Sequence, residues 1–338
     1  MNPVTARLLN QQLAAPQYSS PVQVVAHMGA MQAQEYRMMR WAVAMRTSRP
    51  SIEAFRKAYD SGAIMRQHLM RGTWQLITAT DRPWMMELFA PKAKAVITGW
   101  MKANRIDIPD DEQRHIRDII IETAGSKGSV TEQDFARALM ERDILMDKHR
   151  LSYHIRFNEL LGVLTSGLLD DRKATYRLAP ETANTIGRDE SLALMARKYF
   201  QSRCPATFED FVWWSGLGAS DCRRGMELIS QELHAEKWHG REFLIHESCR
   251  TRGFRKGSVL LVPPYDEYLI AYKSRDVVLP PEYSHKAHNN SGIFYPIVVH
   301  DGTVCGNWSP FRKTLQYSLF DGNAQLDLSR EWDRYSSY

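Results

Sequence analysis

Apolar residues recur with a helical period through most of the first 230 or so positions, then give way to short contiguous runs. In residues 112–124, Ile116, Ile119, Ile120, Thr123 and Ala124 fall at i, i+3, i+4, i+7 and i+8, which is one face of a helix. Shifted by 76 positions, the same face is written as Leu192, Met195, Ala196, Tyr199 and Phe200. Behind each face stands a helix start, Thr131 with Asp134 and then Thr207 with Asp210. A threonine at the N-cap and an acid three residues on satisfy free amides and complement the helix dipole. The periodicity predicts a further helix over 152–166 in the first copy and over 220–232 in the second. Strand-like pieces around polar turns follow, at 168–178 and 237–245. Helix, helix, helix, hairpin is the order of a winged helix.

A third, more diverged copy opens the chain. A helix is predicted over 5–13, and Ser20, Pro21 and Gln23 form a capping-box signature for a second helix ending near Met31. A third helix spans 36–46, and 64–77, broken at Gly72, is a candidate wing. After residue 258, strands are expected at 259–262, 277–279, 297–299 and 304–306, separated by turns such as Asp301-Gly302. The expected fold is α+β: three tandem winged-helix units, at 1–105, 106–183 and 184–257, followed by a small β-rich C-terminal domain at 258–338.

Composition narrows the class. With 338 residues, 43% hydrophobic and 25% charged, the chain reads as globular, which excludes a disordered tail, a collagen-like chain and a coiled-coil rod. No apolar run reaches the roughly 18 residues of a membrane span, and the first residues lack a signal-peptide layout. The expectation is a cytoplasmic, nucleoid-associated protein without a membrane partner. Cys204, Cys222, Cys249 and Cys305 form no C-x-x-C pair and are read as reduced thiols.

The net charge of +5 is modest, but its placement is uneven. Between Arg37 and Thr73 stand eight Lys or Arg, opposed by Glu53 and Asp60 alone. A second basic run is Arg250-Thr251-Arg252-Gly253-Phe254-Arg255-Lys256. Charge alone is equally compatible with a solvated face and with a polyanion site.

Most enzyme signatures are missing. The chain has no G-x-S-x-G, Walker loop or H-E-x-x-H. Gly216-Leu217-Gly218 lacks a third glycine, and His285 and His288 lie in a polar loop, so neither a metal nor a cofactor is expected. The neighbouring carboxylates of Asp266 and Glu267 diverge on helix or strand, and structural hydrogen bonding is their better reading. The pair Gln32 and Gln34 would diverge on a helix but can face one way on extended or turn backbone. Two amides on one side can hold a water by donating and accepting; by spacing alone, ordinary polar turn residues would look the same.

The segments GAMQAQEYRMMRWAVAMR, MRQHLMRGTWQLI and PPYDEYLIAYKSR, in that order, resemble the AlkZ-type winged-helix DNA glycosylases over nearly the whole chain. The resemblance implies hydrolysis of the N-glycosidic bond of alkylated purines in double-stranded DNA, possible unhooking of interstrand crosslinks, and a catalytic Gln-x-Gln motif at Gln32 and Gln34. The AlkX branch carries Gln-x-Asp instead. One departure is that Arg71-Gly72-Thr73 continues to Trp74-Gln75-Leu76, where many relatives have His-Leu. Arg37, Arg40, Arg66, His68, Arg71, Arg250, Arg252, Arg255 and Lys256 are the expected DNA contacts of a monomeric enzyme. The competing reading is a non-catalytic winged-helix DNA-binding protein, a regulator or a lesion-shielding factor, since such folds host both roles.

Overall fold

The predicted helix starts form as their side chains dictate. In the computed structural model, which describes residues 2–338, Ser20 begins the helix Pro21–Met28 with a reciprocal capping box to Gln23. Thr131 and Thr207 do the same with Asp134 and Asp210, at the heads of helices Glu132–Met140 and Phe208–Ser215. Helix, helix, helix, hairpin then occurs twice. The first set is Asp110–Lys127, Glu132–Met140, Lys148–Leu160 and the strands Leu164–Ser166 and Thr175–Leu178. The second is Arg188–Arg203, Phe208–Ser215, Ala219–Leu228 and the strands Leu233–Trp238 and Arg241–His246. Both predicted apolar faces are buried.

The chain groups into two compact units. One comprises the N-terminal stretch to Phe55 together with Leu192–Tyr338; the other is Arg56–Ser191. The expected order was four segments end to end, whereas the first unit draws on both ends of the chain. Its core joins Trp41 and Leu8 to Leu261, Tyr268, Val298 and Trp308. Beside that core lies a four-stranded antiparallel sheet in the order Thr314–Leu319, Thr303–Phe311, Ile297–His300, Val259–Val262. The indoles of Trp41 and Trp308 donate to the carbonyls of Leu261 and Val262, each at 2.8 Å, which fixes the edge strand Val259–Val262.

The second unit packs Ile116, Ile120, Phe135, Leu151, Ile155 and Tyr176 into its own core. Its hairpin, Ile64–Leu69 with Thr73–Thr78, forms where the candidate wing was expected, in the register Leu69↔Thr73. It does not project as a free wing, because the whole first strand is buried. Gln67 donates to the carbonyls of Glu159 (3.0 Å) and Leu164 (3.3 Å), and Ser166 Oγ accepts from the Arg66 amide (3.0 Å).

Three expected elements differ. The helix predicted to reach 166 stops at Leu160, because Gly162 takes φ +77° and the Val163 amide turns back to the Asn158 carbonyl. A strand over 164–166 follows, earlier than the expected 168–171. Residues 277–279 form a turn, with the amides of Val278 and Leu279 both donating to the Arg275 carbonyl. Their apolar side chains serve burial, Val278 and Leu279 both lying inside the core.

Candidate active site

Gln32 sits at the end of a two-residue strand, Met31–Gln32, that the first unit holds by its backbone. The helix Pro21–Met28 ends at Gly29, φ +71°, where a Cβ would come within 3.0 Å of the Lys198 side chain. The Arg203 guanidinium then donates to the carbonyls of Met28 and Ala30, each at 2.7 Å. The Gln32 amide donates to Glu267 Oε1 at 2.8 Å. The other carboxylate oxygen, Glu267 Oε2, accepts from Arg203 Nε (3.0 Å) and Nη2 (2.6 Å) and from Trp214 Nε1 (2.9 Å). Arg203 also lies over the Trp214 ring, at 4.2 Å to its centroid.

Both charges of this pair are buried. Such a pair persists because its remaining donors and acceptors are used, and losing one partner typically costs about 3–5 kcal/mol. The structural reading of Asp266-Glu267 therefore stands. Asp266 accepts from two nitrogens of the buried Arg46 guanidinium (2.8 and 2.7 Å) and caps the helix Glu267–Ile270 through the Tyr268 amide. Arg46, counted in the basic stretch by sequence, is thus an interior ion-pair partner.

The motif lies on extended backbone that turns into a bend. Gln32 is 7% exposed, Ala33 is buried, and Gln34 and Glu35 are exposed where the chain bends. Glu35 accepts the Arg37 amide at 3.2 Å, which tightens the bend before the helix Met39–Ala44. A carboxamide at the surface follows one that is nearly enclosed, on a backbone whose position is set by a buried ion pair.

The predicted cations divide. Arg37, Arg252, Arg255 and Lys256 are exposed, and Arg40 and Arg71 are half-buried. Arg250 is not free to reach outward: its guanidinium donates to the carbonyls of Leu9 and Ala15, both at 3.0 Å. Arg66 and His68 are a correction. They are 6% and 1% exposed, inside the second unit. Arg66 lies 4.3 Å from the Trp74 ring centroid, and His68 meets the same ring edge-on at 4.5 Å. A phosphate cannot approach side chains enclosed in this way.

These two residues belong to a cluster that the sequence reading missed. Trp74 Nε1 donates to Glu159 Oε2 at 3.4 Å, His68 Nδ1 lies 3.9 Å from the same oxygen, and Arg156 stands 5.0 Å from the Trp74 centroid. Burial pushes the Glu159 carboxyl up to about 7, against the pull of Arg66. Burial, reinforced by Arg156 and Arg66, pushes the His68 imidazole down to about 3. Neither Arg203 nor Glu159 carries a sequence signal, since a buried ion on an amphipathic helix is spelled like a surface one. Gln75 is buried and donates to Thr73 Oγ1 at 2.9 Å.

Among the described residues, no three His, Cys, Asp or Glu side chains are grouped to hold a metal ion, and no helix is long and apolar enough to cross a membrane. Comparison with known proteins adds the following. The family model described as DNA glycosylase AlkZ-like matches residues 25–332. An "Interstrand DNA cross-link repair glycosylase" of Streptomyces sahachiroi is 24% identical over 344 aligned positions, covering 95% of this chain and 91% of that protein. The solved structure of the Streptomyces sahachiroi DNA glycosylase AlkZ superposes with a TM-score of 0.77 at 21% identity, covering 99% of this chain and 96% of that one.

Proposed function

The chain belongs to the AlkZ-like family of DNA glycosylases, and on that footing we propose that it excises alkylated purines from duplex DNA, with Gln32 and Gln34 placing the water. The enzyme is a hydrolase of N-glycosyl bonds. The observation that carries the finer reading is the fixed backbone of the motif: the Gln32 amide is tied to a buried Glu267–Arg203 pair. Positioning a water is a task that depends on such rigidity.

The chemistry suits amides. Alkylation at N7 or N3 makes the purine cationic, so the C1′–N bond breaks with its electron pair passing to a base that leaves neutral. No strong acid is needed. The sugar is left as an oxocarbenium-like cation, a water oxygen adds to C1′, and the proton this releases passes to solvent water. A glutamine is no base, yet it can hold that water by accepting from it while the electron-poor carbon draws it in. Ordinary adenine and guanine, which leave poorly without protonation, would be weak substrates.

The helix–helix–helix–hairpin sets are read as winged-helix units, and the phosphate contacts are Arg37, ahead of the helix Met39–Ala44, and Arg252, Arg255 and Lys256, on the loop after the strand Arg241–His246, which set affinity more than sequence choice. Crosslink unhooking extends the same bond cleavage to a lesion joining two strands; the Streptomyces relative is named an interstrand DNA cross-link repair glycosylase.

The test uses duplex bearing N7-methylguanine, incubated with enzyme and then treated with alkali to cleave abasic sites. Gln32→Ala and Gln34→Ala should each lower base release at least about 100-fold, the scale of removing an optimally placed polar group, while duplex affinity stays within about twofold. Full activity in both variants would remove the motif from the mechanism.

A further inference from the structure

Tyr265, immediately before the two anchored carboxylates, has φ +58°. A bulky aromatic residue is uncommon in the left-handed region, and such conformations persist only where the surroundings over-determine them. Here the surroundings do. Pro263 and Pro264 stiffen the approach. Asp266 is gripped by Arg46 and spends an oxygen on the Tyr268 amide. Glu267 is gripped by Arg203 and holds the Gln32 amide. The ion pair that sets the motif's backbone therefore also locks the step that turns Tyr265.

The Tyr265 ring is half-buried and packs beside Phe294, with centroids 6.3 Å apart. Burial raises the phenol above its ordinary range, and the nearby Glu35 carboxylate and Tyr295 phenol add to this. Glu35 is the residue that follows Gln34. The hydroxyl is thus a neutral donor, on a residue anchored through Glu267 to the backbone of the motif.

We propose that Tyr265 is a further substrate-contacting residue of this site, its phenolic O–H donating to a sugar or phosphate oxygen of the damaged nucleotide so that C1′ faces the water held by Gln32 and Gln34. This rests on the glycosylase mechanism proposed above. The hydroxyl neither takes nor gives a proton in the reaction; it fixes the nucleotide, and the bond changes remain those already described.

Two variants separate the hydroxyl from the ring. Tyr265→Phe keeps the ring and removes the donor. Tyr265→Gly removes both and relaxes the backbone, since glycine adopts positive φ freely. Single-turnover release of N7-methylguanine should fall about tenfold in Tyr265→Phe and at least as far in Tyr265→Gly. Affinity for undamaged duplex should stay within about twofold, and Tyr265→Phe should melt as the wild type does. Release within twofold of wild type in Tyr265→Phe overturns the proposal, whatever the glycine variant does.

If the wild-type enzyme releases no alkylated base at all, the proposed mechanism falls by itself. Tyr265 is then judged by binding to a duplex carrying a pyrrolidine abasic-site analogue. At least fivefold weaker binding in Tyr265→Phe, with undamaged duplex unaffected, supports the contact, and equal binding overturns it.

Discussion

The arginines of this chain are of two kinds. Arg46 and Arg203 are interior, each paired with a carboxylate and bonded to further backbone or side-chain oxygens, while Arg252 and Arg255 are exposed on a loop. Nothing in the neighbouring letters separates the two kinds, because the partner carboxylates lie more than 60 positions away. Glu159 and His68 show what such burial does to protonation. In the folded chain Glu159 keeps its proton up to about pH 7, whereas the unfolded side chain loses it near 4.5. Between those values the folded state binds more protons, so this group makes stability fall as pH rises. His68 acts in the opposite sense: neutral in the fold down to about 3 and protonated when unfolded below 6.5, it makes stability rise with pH across that window. The two trends oppose each other where they overlap. Glu159→Gln keeps an acceptor for the Trp74 indole and removes the falling trend. Its melting temperature relative to wild type should therefore climb by on the order of 5 °C between pH 4.5 and 7 and level off above. Calorimetry across that range checks this, and a pH-independent difference would contradict the assignment.

At the scale of elements, the helix starts were the most legible part of the chain. A capping box spans four residues and satisfies its own amides, so Ser20, Thr131 and Thr207 could be recognised without any tertiary information. The 76-residue repeat was legible for a similar reason, since one helix face must be apolar wherever it is buried. Contacts between helices were not legible. Gly225, in the helix Ala219–Leu228, lies so close to the neighbouring helix Arg188–Arg203 that a Cβ would stand 2.7 Å from the Leu192 carbonyl oxygen. Because that atom is backbone, the helices would have to separate. Gly225→Ala should destabilise by roughly 1–3 kcal/mol despite the better helix propensity of alanine. Gly99 provides the contrast, since nothing lies within 4 Å of the position its Cβ would take in the helix Arg82–Ala103. Gly99→Ala should stabilise by about 0.5–1 kcal/mol. Denaturant titration of the two variants should give shifts of opposite sign, and shifts of the same sign would refute the packing argument.

For the molecule as a whole, the relevant quantity is charge free to meet phosphate rather than charge in total. The net +5 includes arginines committed to interior carboxylates, so the exposed run Arg252, Arg255 and Lys256 carries more weight for binding than its share of the count. Each phosphate contact contributes a slope of about −0.9 to log K against log salt concentration on duplex DNA. Replacing these three residues by glutamine should flatten the slope by about 2 to 3 and weaken binding uniformly across sequences. Fluorescence anisotropy at several salt concentrations measures both effects. An unchanged slope would place the phosphate contacts elsewhere on the chain.

The sequence by itself determined the helix starts, the 76-residue recurrence, most of the C-terminal strands and the position of the Gln-x-Gln motif. All of these are local, written in a handful of consecutive or periodic residues. Tertiary structure alone decided that Arg66 and His68 face inward, that residues 277–279 turn instead of extending, and that a glutamate 235 positions away holds the Gln32 amide. The physical reason is that desolvation and ion pairing depend on what surrounds a side chain in space, and distant segments of the chain supply those surroundings.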